Sequence, residues 1–209
     1  DCKPFWFDEC FSVEVARIGW RNFLHLMWWR EANMSLYYIL LRTWLTAGQS
    51  PFFIRSLSAI LSGGTLLAVY WVAKRLYDRQ VALIAAALFV CNAYSIRYAQ
   101  EARSYALFLL LATLSSGFLV AWMRGSSLRS QFVISDSEVL PWYGYVVTSV
   151  LAVYAHFYAL LLIAAQSTAV QILQPHNQLA QSRNMRRVWG VIGLAVLPLL
   201  IFVAKTGAG

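Results

Sequence analysis

Charged residues are scarce in this chain. Asp, Glu, Lys and Arg make up 12% of the 209 residues, whereas soluble domains carry about 25%. Hydrophobic residues make up 60%, and several apolar runs are about 20 residues long, enough to cross the hydrocarbon core of a bilayer. This composition argues against a soluble domain. We therefore predict an all-α fold, a polytopic bundle of transmembrane helices, in an integral membrane protein.

Many motifs that identify enzymes and metal proteins are also missing. The three cysteines show no spacing with histidine that is typical of a metal site. There is no glycine-rich phosphate loop, Ser/His/Asp order or dinucleotide fingerprint, and the pair Gly63-Gly64 indicates close helix packing instead. The net charge of +8 comes mostly from basic residues at the ends of apolar runs. It therefore indicates membrane topology and contact with membrane lipids, and we predict no nucleic-acid partner.

Two amphipathic interfacial helices are predicted before the first span. In residues 9–28 the polar residues recur every three or four positions and form one stripe. This stripe consists of Glu14, Arg17, Arg21 and His25. Residues 36–48 are apolar, but they are too short to span and contain Arg42. We assign residues 1–52 to an outer loop that carries both helices and the acidic motif.

The transmembrane bundle is assigned to residues 53–209, and we expect it to be a fragment of a longer chain. About six spans are predicted from the apolar runs. They cover residues 53–73, 80–96, 104–123, two short segments of 142–173 separated by a break near Tyr154-Ala155-His156, and 188–204. Polar loops are predicted at residues 124–138, closed by Pro141, and at residues 175–187.

The distribution of basic residues predicts the orientation. Alternating spans place residues 74–79 and the two polar loops on one side, and these loops hold most of the Lys and Arg between the spans. The positive-inside rule makes that side cytoplasmic. Asp8, the 94–103 segment and His156 then all face outside, so three separate polar clusters are expected to meet at one membrane face.

Asp8 and Glu9 form an adjacent acid pair at the start of the first helix. The functional interpretation is a catalytic carboxylate that faces water at the bilayer surface. The alternative is that Asp8 is the N-cap of the helix, where a carboxylate accepts backbone N–H bonds and meets the positive end of the helix dipole.

A second polar cluster follows the second span. Tyr98, Glu101 and Tyr105 share one helical face, and Arg103 lies beside them in the sequence. Charges this close to hydrocarbon are costly unless they are paired or functional. The functional interpretation gives Arg103 a lipid-linked phosphate, which its planar fork suits, and gives Glu101 a metal or a sugar hydroxyl. The alternative is a structural Arg97–Glu101 pair.

Two further polar clusters lie at His156 and at residues 31–35. His156 at the helix break either contacts a phosphate oxygen or is an ordinary buried histidine. Glu31 and Asn33 precede Ser35, which we predict to be the N-cap of the second interfacial helix.

Taken in order, these pieces resemble the membrane glycosyltransferases of the dolichyl-phosphate-mannose protein mannosyltransferase and aminoarabinose transferase type. The pieces are Phe7-Asp8-Glu9, Glu31-x-Asn33-x-x-Leu36-Tyr37-Tyr38, Arg55-x-Leu57-Ser58, Tyr98-x-Gln100-Glu101-x-Arg103-x-Tyr105 and Tyr154-x-His156-x-Tyr158. The resemblance covers nearly the whole chain and is strongest to bacterial members with a glycosyltransferase-like domain. It departs from the family pattern at Met34-Ser35, where the family usually has Pro-Pro.

The resemblance implies inverting transfer of a sugar from a polyprenyl-phosphate donor to a lipid, glycan or protein acceptor. It places this reaction at the outer face of a bacterial inner membrane. Asp8 matches the acid proposed as general base, with Glu9 beside it as a second catalytic residue. The residues carried over as substrate-binding are Glu31, Tyr98, Glu101, Arg103 and His156. Metal use varies in this class, so no metal is assigned, and a divalent cation stays open as a cofactor.

Two other function classes stay open. A transporter of lipid-linked sugars predicts polar residues at mid-membrane and discontinuous helices, whereas nearly all charges of this chain lie at span ends. A non-catalytic membrane scaffold is favoured if Asp8 and Glu101 lie far apart on opposite membrane faces.

Overall fold

The chain is all-helical in the computed structural model, which describes residues 6–29, 32–127, 136–173 and 179–206. Within these ranges there are ten helices and no strand. The helices are α1 (Phe7–Arg17), α2 (Trp20–Trp29), α3 (Ser35–Trp44), α4 (Pro51–Leu76), α5 (Arg79–Cys91), α6 (Ala93–Ala99), α7 (Tyr105–Ser127), α8 (Asp136–Ala155), α9 (Ala159–Leu173) and α10 (Leu179–Thr206). The all-α fold predicted from the sequence is confirmed.

Two of the helices in the described part of the chain are long and apolar enough to cross a membrane. These are α4, with 26 residues, and the first 20 residues of α7. The pair α5 and α6 adds a third candidate, bent by 64° between the two helices. The structure therefore supports two or three of the roughly six spans expected from the length of the apolar runs, and α9 is an apolar helix of only 15 residues.

The span predicted over residues 80–96 is bent, because Asn92 interrupts its helix. The Asn92 side chain accepts the backbone N–H groups of Tyr94 and Ser95 at 2.9 and 3.2 Å. An asparagine in this position is a strong N-cap. It ends α5 and starts α6 in a new direction, toward the cluster around residues 97–105.

The centre of the bundle is α7, which packs on α4 along one side and on α8 along another. At each of these two contacts a glycine lets the helices approach closely. A Cβ on Gly117 would overlap the Trp71 ring of α4, and a Cβ on Gly144 of α8 would lie 2.6 Å from the Phe118 ring. The close packing predicted at Gly63-Gly64 is weaker, since the position of a Gly64 Cβ is 3.4 Å from Leu110 and Gly63 faces open space.

The predicted helix over residues 9–28 is two helices, separated at Ile18 and Gly19. Arg42 of α3 explains the break. Its Nη1 donates to the carbonyl oxygens of Ala16 and Ile18 at 3.1 and 2.6 Å, which satisfies acceptors that the end of α1 leaves open. The Arg42 guanidinium also lies 4.2 Å from the ring centroid of Trp20. The polar stripe of the predicted helix is nevertheless exposed along α1 and α2, as expected.

The helix predicted over residues 36–48 is confirmed as α3, but its start differs from the prediction. Met34, at φ 67°, precedes the helix, and Ser35 is its first residue and not its N-cap. The Ser35 hydroxyl instead donates to the carbonyl of Tyr154 at 3.4 Å. Asn33 makes a second link, because its Oδ1 accepts the N–H of Phe157 at 3.1 Å. Both contacts hold the start of α3 against the break between α8 and α9.

The break predicted near residues 154–156 is confirmed, since α8 ends at Ala155 and α9 begins at Ala159. The two polar loops are shorter than predicted. Helix α8 begins before Pro141 and contains it, and α10 begins at Leu179 within the predicted second loop. The hydrophobic runs therefore underestimate these helices, because polar turns continue a helix beyond its apolar part.

Candidate functional site

Glu9 is the most deeply buried ionisable group of the site, with 1% of its surface exposed. Arg55 of α4 binds it with both sides of the guanidinium fork, Nε to Oε1 at 3.0 Å and Nη2 to Oε2 at 2.7 Å. The backbone N–H of Ala102 donates to Oε1 at 2.9 Å, and that of Trp6 donates to Oε2 at 3.2 Å. One carboxylate thus joins α1, the start of α4 and the segment between α6 and α7.

These donors also set the protonation state of Glu9. Burial by itself raises the pKa of a carboxyl group. In Glu9 the hydrogen bonds from Arg55, Ala102 and Trp6, together with the Arg55 charge, outweigh burial and hold the pKa below its usual range. Glu9 is therefore an ionised anchor with its oxygens already occupied, a poor arrangement for accepting a further proton.

Asp8 lies next to Glu9 but faces water, with 57% of its side chain exposed. Its Oδ2 accepts a hydrogen bond from Arg103 Nη1 at 2.8 Å. The proposed N-cap role of Asp8 is wrong, because the helix begins at Phe7 and Asp8 is its second residue. The capping contact is made by Glu9, which accepts the N–H of Trp6.

Tyr98 and His156 are connected to this ion pair through a row of aromatic rings. The Arg103 guanidinium lies 4.9 Å from the centroid of Tyr105. The Tyr105 centroid is 4.8 Å from that of Tyr98 and 5.8 Å from that of His156. His156 is 6% exposed, and its Nδ1 accepts the N–H of Tyr158 at 3.3 Å. Both interpretations of His156 thus keep support: it is buried and hydrogen-bonded, and it lies beside the proposed site.

Glu101 forms the ion pair that the structural alternative predicted. Arg97 Nε donates to Glu101 Oε1 at 2.8 Å, with the side chains 65% and 19% exposed. Both residues line a cavity of about 830 Å³, within the size range of small-molecule sites. The cavity is lined by Trp6, Glu9, Phe52, Arg55, Ser56, Ala59, Ala93, Ile96, Arg97, Ala99, Gln100 and Glu101.

Most of the predicted site residues are brought together. Asp8, Arg103, Tyr98 and His156 are linked by contacts through Tyr105, and Glu9 and Glu101 line the neighbouring cavity. Asp8 lies beside Arg103, which is close to Glu101 in the chain, so the wide separation that would favour the scaffold alternative is not found. Glu31 lies outside the described residues. Among the residues that the structure describes, no group of three His, Cys, Asp or Glu side chains is placed to hold a metal ion.

Arg55 is the main residue that sequence reasoning left without a role. The sequence indicates only that Arg55 belongs to a motif that opens a span. In the structure it supplies the hydrogen bonds and the charge that keep Glu9 ionised. The available signal was its position in the second turn of an apolar helix, where an arginine needs a partner. The contact from the Ala102 N–H has no such signal in the sequence, since every residue except proline carries a backbone N–H group.

The fold and the site together define a class of protein. The chain is an all-helical integral membrane protein, with two to three helices apolar enough to span and a charged cluster where α1, α4, α6 and α7 meet. Comparison with protein-family models, with curated proteins and with solved structures found no match in any of the three.

Proposed function

We propose that the protein transfers a sugar from a polyprenyl-phosphate donor to an acceptor at the outer face of a bacterial inner membrane. One observation carries the proposal. An exposed carboxylate, Asp8, lies next to a cavity that combines an apolar wall with two guanidinium groups at the end of candidate spans. An amphipathic donor with a lipid chain, a phosphate and a sugar needs this combination of surfaces.

The reaction is a single displacement with inversion. The acceptor hydroxyl or amine attacks the anomeric carbon, the new bond to that carbon forms, and its bond to the phosphate oxygen breaks. Asp8 takes the acceptor proton as general base, and the electron pair leaves with the polyprenyl phosphate. A second carboxylate acting as nucleophile is not required, which agrees with the full occupation of Glu9 by donors.

The neighbouring residues have supporting roles in this proposal. Glu9 positions Asp8 by fixing the start of α1 to Arg55 and Ala102. Arg103 orients Asp8, since its Nη1 donates a hydrogen bond to Asp8 Oδ2 at 2.8 Å. The remaining proposed substrate contacts are Glu31, Tyr98, Glu101 and His156.

The transporter alternative has one structural observation in its favour, the discontinuous pair α5 and α6. The break is capped by the uncharged Asn92, however, and the charges of α4 and α7 lie near the helix ends, at Arg55, Lys74, Arg75 and Arg124. Buried polar groups inside the bundle, such as Ser115 and Gln166, bind one another. The arrangement therefore favours chemistry at one membrane face over passage through the bundle.

The test is sugar transfer from labelled polyprenyl-phosphate sugars in membranes that contain the protein. Asp8→Asn keeps the shape and removes the base, so we expect kcat to fall by about 10² to 10⁴-fold. Glu14→Gln is the matched control, because Glu14 lies on the same helix with 73% of its side chain exposed, and its activity should equal wild type. A fully active Asp8→Asn variant removes the general-base assignment, and a wild type that consumes none of a panel of donors removes the proposal.

A further inference from the structure

An inverting displacement restricts where the base and the phosphate-binding cation can lie. The attacking atom, the anomeric carbon and the leaving oxygen lie in line, so the base and the cation that binds the leaving phosphate belong on opposite sides of that carbon. Arg103 does not meet this demand in the structure, because its Nη1 is 2.8 Å from the carboxylate of Asp8. A cation that is bonded to the base is on the acceptor side.

The cavity lies beside the face of α1 that carries Glu9. Adjacent helix residues point about 100° apart, and here Glu9 lines the cavity while Asp8 and Arg103 are absent from its wall. Asp8 and the cavity therefore lie at neighbouring faces of the start of α1, with the base outside the cavity wall. The leaving phosphate is best accommodated in the cavity.

The cavity has two cations, and their environments differ. Arg55 is 18% exposed and holds the buried Glu9 with both sides of its fork, so moving it leaves a buried carboxylate without its main partner. Arg97 is 65% exposed, and its partner Glu101 is 19% exposed. An ion pair this open to water is weak. Arg97 is thus the cation that exchanges its partner at low cost.

We propose that Arg97 binds the phosphate of the donor and gives up Glu101 when it does so. This inference rests on the proposed function and names the donor phosphate site within it. A guanidinium makes two parallel charge-assisted hydrogen bonds to a phosphate. Phe52, Ala59 and Ile96 supply an apolar wall for the first isoprene units of a single-chain prenyl phosphate. The released Glu101 faces the same cavity and accepts hydrogen bonds from the sugar hydroxyls.

Binding, measured separately from turnover, tests this assignment. The full-length protein in nanodiscs is titrated with a prenyl monophosphate and with the prenyl alcohol of the same chain length. We expect Arg97→Gln to weaken phosphate binding by at least about tenfold and to leave alcohol binding unchanged. Arg97→Lys should recover part of the affinity, since it keeps the charge without the fork. Arg79→Gln, an exposed arginine of α5, is the matched control and should bind as wild type.

The Glu101→Gln variant distinguishes phosphate binding by Arg97 from a purely structural role of the Arg97–Glu101 pair. If the Arg97–Glu101 pair only supports the fold, both Arg97→Gln and Glu101→Gln lower stability and weaken binding. If Arg97 has to leave Glu101 to reach the phosphate, Glu101→Gln removes the competitor and tightens binding of the prenyl monophosphate. This increase in affinity is the result that supports partner exchange.

Three outcomes would overturn the assignment. The first is wild-type affinity in Arg97→Gln, and the second is loss of phosphate binding in Arg103→Gln alone. The third is equal competition by two-chain phosphatidic acid, which indicates a general lipid-headgroup site. A wild type that transfers sugar while Arg97→Gln binds normally refutes only this inference. A wild type that binds prenyl phosphate through Arg97 but transfers no sugar refutes only the proposed function.

Discussion

Asp8 and Glu9 have the same chemistry and adjacent positions, yet their surroundings differ. Glu9 is 1% exposed and receives four hydrogen bonds, whereas Asp8 is 57% exposed and receives one from Arg103. The spacing of the pair on α1 decides this, because one residue turns the side chain by about 100°. Glu9 consequently fixes the start of α1, and Asp8 is the carboxylate that is accessible to solvent.

The pKa of Glu9 predicts how stability depends on pH. Because the folded pKa lies below the usual value of about 4.3, the unfolded chain binds the proton more readily. The stabilisation by Glu9 is fully present above pH 4.3, and it is lost as the pH falls from there through the folded pKa. We expect the thermal midpoint in detergent to drop over this acidic window.

Glu9→Gln tests the origin of that drop. At neutral pH we expect this variant to be less stable than wild type by about 3 kcal/mol, since it leaves Arg55 without its anionic partner. Its stability should also depend less on pH below 4.3. Glu14→Gln provides the comparison, with a change within about 0.5 kcal/mol. Parallel pH profiles for wild type and Glu9→Gln would assign the acid sensitivity to other groups.

The contact between α4 and α7 depends on the absence of a side chain at Gly117. A Cβ at Gly117 overlaps the Trp71 ring, and a neighbouring Val72 atom lies 2.6 Å away. Both are side-chain atoms of α4, in an indole ring and a branched valine, and neither is the far end of a long flexible side chain.

Gly117→Ala is therefore expected to destabilise the protein by about 1–3 kcal/mol through overpacking. Gly63→Ala lies on the facing helix with open space around its Cβ, and it should be neutral or stabilising by up to about 1 kcal/mol because alanine favours the helix. Unfolding in mixed micelles measures both. Equal effects in the two variants would contradict the close approach of α4 and α7.

A group of hydrogen-bonded side chains holds α9 against α7 and α8. Gln166 donates to the hydroxyls of Ser115 and Ser116 at 3.3 and 3.1 Å, and its Oε1 accepts from Tyr145 at 3.2 Å. Ser149 completes the contact at 2.8 Å from Ser115. Helices in lipid lack a hydrophobic driving force between them, so such contacts contribute to their association.

Gln166→Leu is expected to cost about 1–2 kcal/mol, because buried hydroxyls lose their partner. Gln171→Leu is the control on the same helix, where the side chain is exposed, and we expect no loss of stability there. The same unfolding assay distinguishes the two. A neutral Gln166→Leu would mean that packing alone holds α9.

Across the whole molecule, charge is concentrated at two ends. The Asp8 and Glu9 cluster meets the first turns of α4, and at the far end of this 26-residue helix Arg124 donates to the carbonyls of Arg75 and Leu76. A helix of that length extends about 39 Å, comparable with a bilayer including its headgroups. The two clusters are therefore suited to opposite membrane surfaces.

Labelling with a membrane-impermeant maleimide tests this arrangement in sealed membranes. Cys10 is exposed beside the acidic pair, so a variant that keeps only Cys10 should be labelled from outside. An Arg79→Cys variant without other cysteines should be labelled only after the membrane is opened, because the basic end is predicted to be cytoplasmic. Labelling of both positions from one side would refute the proposed orientation.

The sequence by itself determined the helical class, the apolar helices suited to a membrane, the amphipathic pattern of the first helices and the break near His156. Each depends on local composition or periodicity, which is set by the solvent that a segment faces. It also indicated that the acids and cations cluster at one face. It did not determine the number of spans, the bend at Asn92 or the division of α1 from α2, since these depend on contacts such as that of Arg42 with Ala16.

Only the tertiary structure decided which charge pairs with which. Glu9 selects Arg55 across 46 positions, and Asp8 selects Arg103 across 95. Sequence spacing predicted the local Arg97–Glu101 pair, because helix geometry brings residues four apart together. Long-range partners depend on how helices pack, and that packing placed Glu9 on the cavity wall and Asp8 outside it. The different roles of two adjacent acids therefore follow from the fold.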